Sequence, residues 1–189
     1  MRRDRNGVAG VGRLKSLLIF AAFVGVAGVL LAFLMTTTGV KEVKLEAYEF
    51  GFNGVSGGPT IRIKTGEPLR IVLTNKGGAE HEFMVVKDRS AFLKEFHDKL
   101  EELQARGMDE RSIINSEELE EIHHHSSAVM LSVNGKPVAD VNVKPGETKP
   151  FTLKFDKPGT YHYVCAELEL TFPKTHADRG MYGSIIVEQ

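Results

Sequence analysis

The sequence predicts an all-β protein, a Greek-key β-sandwich or barrel, with a helical insertion and one preceding transmembrane helix. Short segments of alternating apolar and polar residues recur at intervals of about ten residues, separated by turns rich in Gly, Pro and Asn. Residues 88–125 break that pattern, because their apolar residues recur at helical spacing. Residues 17–35 form an uninterrupted apolar run of 19 residues, which is long enough to span the roughly 30 Å hydrocarbon core of a bilayer.

The composition is that of an ordinary globular protein with an uneven charge distribution. The 189 residues are 42% hydrophobic and 26% charged, with a formal net charge of -1. Residues 1–35 hold five of the 24 basic residues and one of the 25 acidic residues. A basic segment joined to an acidic body argues against nucleic acid as a partner and favours a membrane-oriented protein.

The N-terminal region is predicted to anchor the chain in a membrane. Arg13 and Lys15 stand directly before the apolar run, and three more arginines precede them. By the positive-inside rule, residues 1–16 form a basic cytoplasmic N-terminus and residues 17–35 cross the cell membrane once. A cleaved signal peptide is the alternative, but its apolar stretch is normally about 7–15 residues long and ends at a small-residue site. The sequence AFLMTTTG after this run has no clear site of that kind.

The remaining body, residues 42–189, follows a linker at 36–41 and is predicted to lie on the extracytoplasmic face. Its alternating segments indicate about eight strands. They begin near Val43, Ile61, Leu69, His81, Val129, Val138, Phe151, Tyr161 and Ser184. Asn134 and Gly135 form a hairpin-turn signal between two of these strands.

The insertion at residues 88–125 is predicted to contain two helices that lie across the sandwich. The first has apolar residues at helical spacing, with Ser90 as a candidate N-cap. These apolar residues are Phe92, Leu93, Phe96, Leu100 and Leu103. The second helix covers SEELEEIHHH, with Asn115 as a candidate N-cap.

The last thirty residues hold the side chains with the most distinctive chemistry. Cys165 is the only cysteine, so the chain has no intrachain disulfide. A free thiol outside the cytoplasm calls for burial or a metal. Cys165 ends a predicted strand, and His176 and Met181 follow before the final strand. Thiolate, imidazole and thioether are soft ligands, and this combination indicates copper.

The segments AEHEFMVV, PGTYHYVC, HADRGM and YGSIIVE together resemble the cupredoxin family of type 1 copper proteins, over about residues 42–87 and 127–189. The resemblance implies one mononuclear copper ion bound by His81, Cys165, His176 and Met181. It also implies transfer of single electrons between respiratory redox partners, such as a cytochrome complex and a terminal oxidase, rather than an enzymatic reaction. With three ligands on one loop, the site is expected near the surface, where one histidine edge meets the partner.

Two features depart from the family pattern. Ten residues separate Cys165 from His176, whereas the family usually has only a few there. The sequence CAELE also resembles the copper loop of cytochrome oxidase subunit II, but Glu169 stands where that loop has its second cysteine. A dinuclear thiolate-bridged centre is therefore excluded, and Glu167 or Glu169 is an alternative oxygen ligand to a single copper. The second departure is at position 82, where Glu82 follows His81 and many members of the family carry Asn.

Other functions remain open from the sequence. A copper carrier for a terminal oxidase and a metal-free interaction domain are both compatible with the same fold. The run His123, His124 and His125 is a candidate for a second metal site. Adjacent side chains on a helix point about 100° apart, so the three histidines do not converge on one ion. The pattern favours instead a polar C-terminal helix end, where imidazoles interact favourably with the helix dipole.

Overall fold

Two β-sheets pack against each other and form the framework of the described residues. The computed structural model describes residues 39–189, and Gly39–Gln189 form a unit of their own. The strands are β1 (Lys41–Tyr48), β2 (Gly51–Phe52), β3 (Thr60–Lys64), β4 (Pro68–Asn75), β5 (His81–Val86), β6 (Leu131–Val133), β7 (Lys136–Val138), β8 (Asp140–Val143), β9 (Thr148–Lys154), β10 (Gly159–Val164) and β11 (Tyr182–Glu188). The helices are α1 (Arg89–Ala105), α2 (Glu110–Ile114) and α3 (Glu117–Ser126), and a 3-10 turn spans His176–Arg179.

The strand order places the ends of three strands from distant parts of the chain side by side. One sheet has the order β2-β1-β4-β9-β6-β7, and the other has the order β3-β11-β10-β5-β8. Strands β1 and β4 are parallel, as are β3 and β11, whereas the other named pairs are antiparallel. Because β10 lies between β5 and β11, the start of β5, the end of β10 and the start of β11 meet at one edge of the sandwich.

The core between the sheets follows from the period-two pattern of the strands. On β4, Leu69, Ile71 and Leu73 are buried, and on β11 so are Ile185 and Val187. Full burial of such a side chain stabilises the fold by about 1.5–3 kcal/mol. Strand β5 departs from the alternation, since all six of its residues are buried. Its inner face meets the opposite sheet, so its outer face must be covered by another layer.

The helical insertion is that second layer. Phe92, Phe96 and Leu100 of α1 pack in one apolar cluster with Met84 and Val86 from the outer face of β5. Their spacing of four residues places them on one stripe of the helix. A helical insertion is present as predicted, but it contains three helices between Arg89 and Ser126 instead of two. The additional helix, α2, is only five residues long.

The predicted helix caps and strand count need correction. Asp88, and not Ser90, caps α1, because its carboxylate accepts from the backbone N–H groups of Ser90 and Ala91. Ser116, and not Asn115, caps α3. The described part of the chain has eleven strands where about eight were expected. Strands β2 and β7, which no predicted segment accounts for, are only two and three residues long. Pairing in three dimensions defines such short strands, and period-two patterning cannot detect them.

The N-terminal predictions fall outside the described residues. These are the basic segment at residues 1–16, the transmembrane anchor at 17–35 and residues 36–38 of the linker at 36–41. Between residues 39 and 189, no helix is long and apolar enough to cross a membrane.

Candidate metal centre

The structure brings the side chains of His81, Cys165 and His176 together at the edge where β5, β10 and β11 meet. His81 is the first residue of β5, Cys165 directly follows β10, and His176 begins the 3-10 turn. Met181 directly precedes β11 and lies in the same buried cluster as Cys165. All four residues are buried, with at most 1% of their surface exposed. The strand ends that position His81, Cys165 and Met181 belong to one sheet.

Three donor atoms form a triangle of the size that a metal ion requires. The Nδ1 atoms of His81 and His176 are 3.2 Å apart. The Sγ atom of Cys165 lies 3.9 Å from Nδ1 of His81 and 3.5 Å from Nδ1 of His176. A point equidistant from the three atoms is about 2.1 Å from each, close to the lengths of about 2.0–2.1 Å and 2.3 Å found for zinc bonds to imidazole and thiolate. The three donor atoms are therefore spaced to hold one ion between them.

The hydrogen bond made by the far edge of His176 orients its near edge for ligation. Nε2 of His176 lies 2.9 Å from the carbonyl oxygen of Glu169. Since a carbonyl oxygen only accepts, Nε2 carries the proton and donates it. In the neutral ring, Nδ1 then presents a lone pair toward Cys165.

His81 is held in its neutral form by its surroundings. Burial, and then the neighbouring His176, lowers the pKa of His81 to about 4. A neutral imidazole is the form that binds a metal. Its Nε2 atom is buried and has no hydrogen-bond partner among the described residues. A Cβ atom on Gly77 would lie 2.8 Å from that Nε2, so the absence of a side chain at position 77 leaves room for the ring.

Cys165 lies in a site that favours a protonated thiol until a cation binds. Burial raises the pKa of this thiol well above its ordinary value, and the nearby charge of Glu82 adds to the effect. The backbone N–H of Glu82 donates to Sγ of Cys165 over 3.3 Å. A ligating thiol is deprotonated by its metal, and this N–H then stabilises the resulting thiolate.

Backbone hydrogen bonds hold the long segment between the ligands in place. Cys165 N–H donates to the carbonyl of Met181 over 3.1 Å, and Met181 N–H donates to that of His176 over 3.0 Å. His176 N–H in turn donates to the carbonyl of Glu167 over 2.9 Å. Thr175 and Asp178 form a capping box at the start of the 3-10 turn. The ten residues between Cys165 and His176 therefore form an ordered cover over the ligands.

The structure places the alternative oxygen ligands away from the donor triangle. The carboxylate of Glu169 accepts from the backbone N–H of Glu80 over 2.9 Å. The carboxylate of Glu167 accepts from the backbone N–H groups of Leu168 and Glu169. Neither carboxylate belongs to the group of donor atoms around Cys165. Glu169 contributes through its carbonyl group, a role that residue type alone does not reveal.

The expectation of a surface-exposed histidine edge is wrong. His81 is 0% exposed and His176 is 1% exposed. The cover between Cys165 and His176 is longer than the usual ligand loop and folds over His176. The Phe50 ring packs edge-on against His176, with ring centroids 5.6 Å apart.

The three consecutive histidines have separate environments. His124 lies near Glu120 and His125 near Glu95, and the side chains of both histidines are more than half exposed. His123 instead points inward, beside Glu82 and Asp140. The sequence gives no sign that His123, Glu82 and Asp140 come together, because they belong to α3, β5 and β8 respectively.

No known family model matches the chain, and no curated protein matches it. Among solved structures, auracyanin from the photosynthetic bacterium Roseiflexus castenholzii has 17% identity and a TM-score of 0.48, covering 80% of this chain and 100% of its own. The blue copper protein auracyanin A from Chloroflexus aurantiacus has 14% identity and a TM-score of 0.48, covering 79% and 100%. Copper nitrite reductase from Nitrosomonas europaea has 22% identity and a TM-score of 0.46, covering 79% and 42%.

These likenesses are distant, so the choice of metal depends on the donor atoms of this chain. Two imidazoles and a thiolate in a triangle, with a methionine beside them, are typical of type 1 copper sites. The donor set supports one mononuclear copper ion held by His81, Cys165, His176 and Met181.

Proposed function

We propose that the chain is a membrane-anchored type 1 copper protein that transfers single electrons on the extracytoplasmic face. The observation that carries the proposal is the buried triangle formed by the Nδ1 atoms of His81 and His176 and the Sγ atom of Cys165. A copper ion held by these residues would supply one-electron chemistry, between the Cu(I) and Cu(II) states. The apolar run at residues 17–35 is the proposed anchor.

The protein's own residues keep the ligand positions constant and exclude water. All four ligands are buried, and the backbone of the cover links Cys165, His176 and Met181 by direct hydrogen bonds. A site held in one geometry needs little rearrangement when its charge changes, which favours fast electron exchange. The backbone N–H of Glu82 already donates to Cys165 Sγ before any ion binds.

A short route from the site to the surface runs through the cover. His176 donates from Nε2 to the carbonyl of Glu169, and the next residue, Leu170, is 79% exposed. We propose that a redox partner, such as a cytochrome complex or a terminal oxidase, contacts the protein here. This position replaces the exposed histidine edge expected from the sequence.

Copper loading tests the proposed function directly. The full-length chain loaded with Cu(II) should show an intense thiolate-to-copper band in the visible spectrum and one copper per chain. Cys165→Ser should abolish the band. Met181→Leu should retain it and raise the reduction potential, because a thioether stabilises Cu(II) slightly. Colourless wild-type protein without stoichiometric copper would refute the proposal.

A copper carrier for a terminal oxidase is the second candidate, favoured by the unusually long segment between Cys165 and His176. The two functions differ in how the protein holds its ion. A carrier should lose copper readily to a chelator and be reduced slowly in stopped-flow measurements. An electron-transfer protein should retain copper through repeated oxidation and reduction, as the burial of all four ligands favours.

A further inference from the structure

A second group of metal-ligating side chains lies on the outer face of the sheet, under the helical insertion. It consists of Glu82 on β5, Asp140 on β8 and His123 on α3. Successive residues of a strand point to opposite faces, so His81 faces the copper site while Glu82 faces the helices. Asp140 pairs with Met84 across β5 and β8, two positions along from Glu82. The insertion places His123 above both carboxylates.

The donor atoms are close enough to share one ion. Nδ1 of His123 lies 3.7 Å from Oε1 of Glu82 and 3.4 Å from Oδ2 of Asp140. One donor atom from each residue lies within 4.8 Å of the others. One imidazole nitrogen and two carboxylate oxygens suit zinc and similar divalent first-row cations. The imidazole argues against calcium or magnesium, which prefer oxygen ligands only.

The Glu82 carboxylate shows that the group is incomplete as it stands. Its side chain is 5% exposed, and its Oε1 atom has no hydrogen-bond partner among residues 39–189. A buried carboxylate without partners is strongly disfavoured. Glu82 also borders the cavity beside His123, so a cation bound there meets the unpartnered oxygen.

An ion pair between a protonated His123 and the two carboxylates is the simpler alternative. Charge-assisted N–H···O hydrogen bonds are normally about 2.7–2.9 Å long. Both contacts of His123 Nδ1 are longer than that, at 3.4 Å to Asp140 and 3.7 Å to Glu82. Because His123 lies nearer to Asp140, Oε1 of Glu82 has no hydrogen-bond partner among the described residues. Donor atoms at these separations are better placed to share one ion than to form a direct salt bridge.

The surroundings provide access for a cation and space for a further ligand. A cavity of about 370 Å³ adjoins the group, and Glu117, Glu120 and Glu167 also line it. These additional carboxylates attract a cation to the cavity. With three ligands from the protein, one coordination position remains for water or a small molecule, as in exchangeable zinc sites.

We propose that Glu82, His123 and Asp140 form a second metal site, which binds one divalent cation of the zinc class with a coordination position open to the cavity. The helical insertion completes the site by contributing His123. The peptide from His81 to Glu82 joins the two sites, since its residues ligate one ion each.

Zinc binding to the full-length Cys165→Ser chain tests this proposal. That background removes the thiolate of the copper site, so the result does not depend on the proposed function. Zinc affinity is measured by competition with a chromophoric chelator, and Co²⁺ serves as a spectroscopic substitute. We expect one zinc per chain. Asp140→Asn should weaken binding by more than about 100-fold, because loss of outer-shell partners alone costs about 10–100-fold.

Two variants make the assignment specific. Glu82→Gln should weaken binding as Asp140→Asn does, whereas Glu117→Gln, which alters a residue that lines the cavity outside the donor group, should leave affinity within a few-fold. Zinc should also raise the unfolding midpoint of the Cys165→Ser chain and leave that of the Asp140→Asn variant unchanged. No zinc bound by the folded chain, or equal affinity after Asp140→Asn, would overturn the proposal.

Discussion

Replacement of Gly183 by Ala tests the packing that positions Cys165. Gly183 on β11 is paired with Tyr163 on β10, two residues before Cys165. A Cβ atom at position 183 would lie 2.1 Å from Cζ and 2.2 Å from the hydroxyl oxygen of Tyr163. The Tyr163 ring cannot move away easily, because it is stacked on Phe83 with ring centroids 5.3 Å apart. Gly183→Ala must therefore displace a buried aromatic ring.

The expected loss of stability has two parts. Overpacking a filled core costs about 1–3 kcal/mol. The Tyr163 hydroxyl also donates to the carbonyl of the half-buried Pro59 over 2.6 Å, and loss of such a hydrogen bond costs about 0.5–1.5 kcal/mol. Since a displaced ring can retain part of the hydrogen bond, we expect the free energy of unfolding to fall by about 2–4 kcal/mol in total.

Urea unfolding of the metal-free protein measures this change, with Gly78→Ala as the matched control. A Cβ atom at position 78 would meet no atom within 4 Å, so this variant should stay within about 0.5 kcal/mol of wild type or gain slightly. Tyr163→Phe isolates the hydrogen bond to Pro59. If the free energy of unfolding of Gly183→Ala lies within about 0.5 kcal/mol of the wild-type value, the packing argument is refuted. Copper loading should also weaken in Gly183→Ala, because the shift reaches Cys165.

Two further predictions concern the ligands in the metal-free protein. The pKa of His81 is lowered to about 4 by burial and by His176, whereas an unfolded chain titrates near the ordinary value of about 6.5. Because protons bind the unfolded chain first, the free energy of unfolding is unaffected by His81 above about pH 6.5 and decreases as the pH falls toward 4. Urea midpoints should therefore drop with acidification more steeply in wild type than in His81→Gln, and parallel curves would contradict this. Because Cys165 is buried and the pKa of its thiol is raised, a disulfide reagent at pH 8 should label it only as fast as the protein unfolds. Rapid labelling of the native protein would show that the thiol is accessible.

The ligand set was predictable because its elements have strong local patterns. The period-two alternation before His81 and Cys165 indicated strands, and a strand end followed by His176 and Met181 indicated a ligand loop. The Nδ1 and Sγ distances agree with that interpretation. Residue types and their order indicated Cys165, His176 and Met181, whereas His81 was assigned through the resemblance to the cupredoxin family.

The environment of the ligands was not predictable in the same way. The sequence suggested an exposed histidine edge, yet the cover after Cys165 encloses His176 and accepts its Nε2 proton on a backbone carbonyl. Every residue has such a carbonyl, so residue type does not indicate which one will be used. The candidate ligands Glu167 and Glu169 were reasonable from composition, but their carboxylates bind backbone N–H groups instead.

By itself, the sequence determined the alternation of strands, the position of the helical insertion and the order of the soft ligands. These properties depend on neighbours within a few residues, where period and turn chemistry are decisive. Only the tertiary structure decided that both copper-site imidazoles are buried and that Glu82, His123 and Asp140 converge. The three residues of that second group come from a strand, a helix and another strand, and only the packing of the insertion on the sheet brings them together.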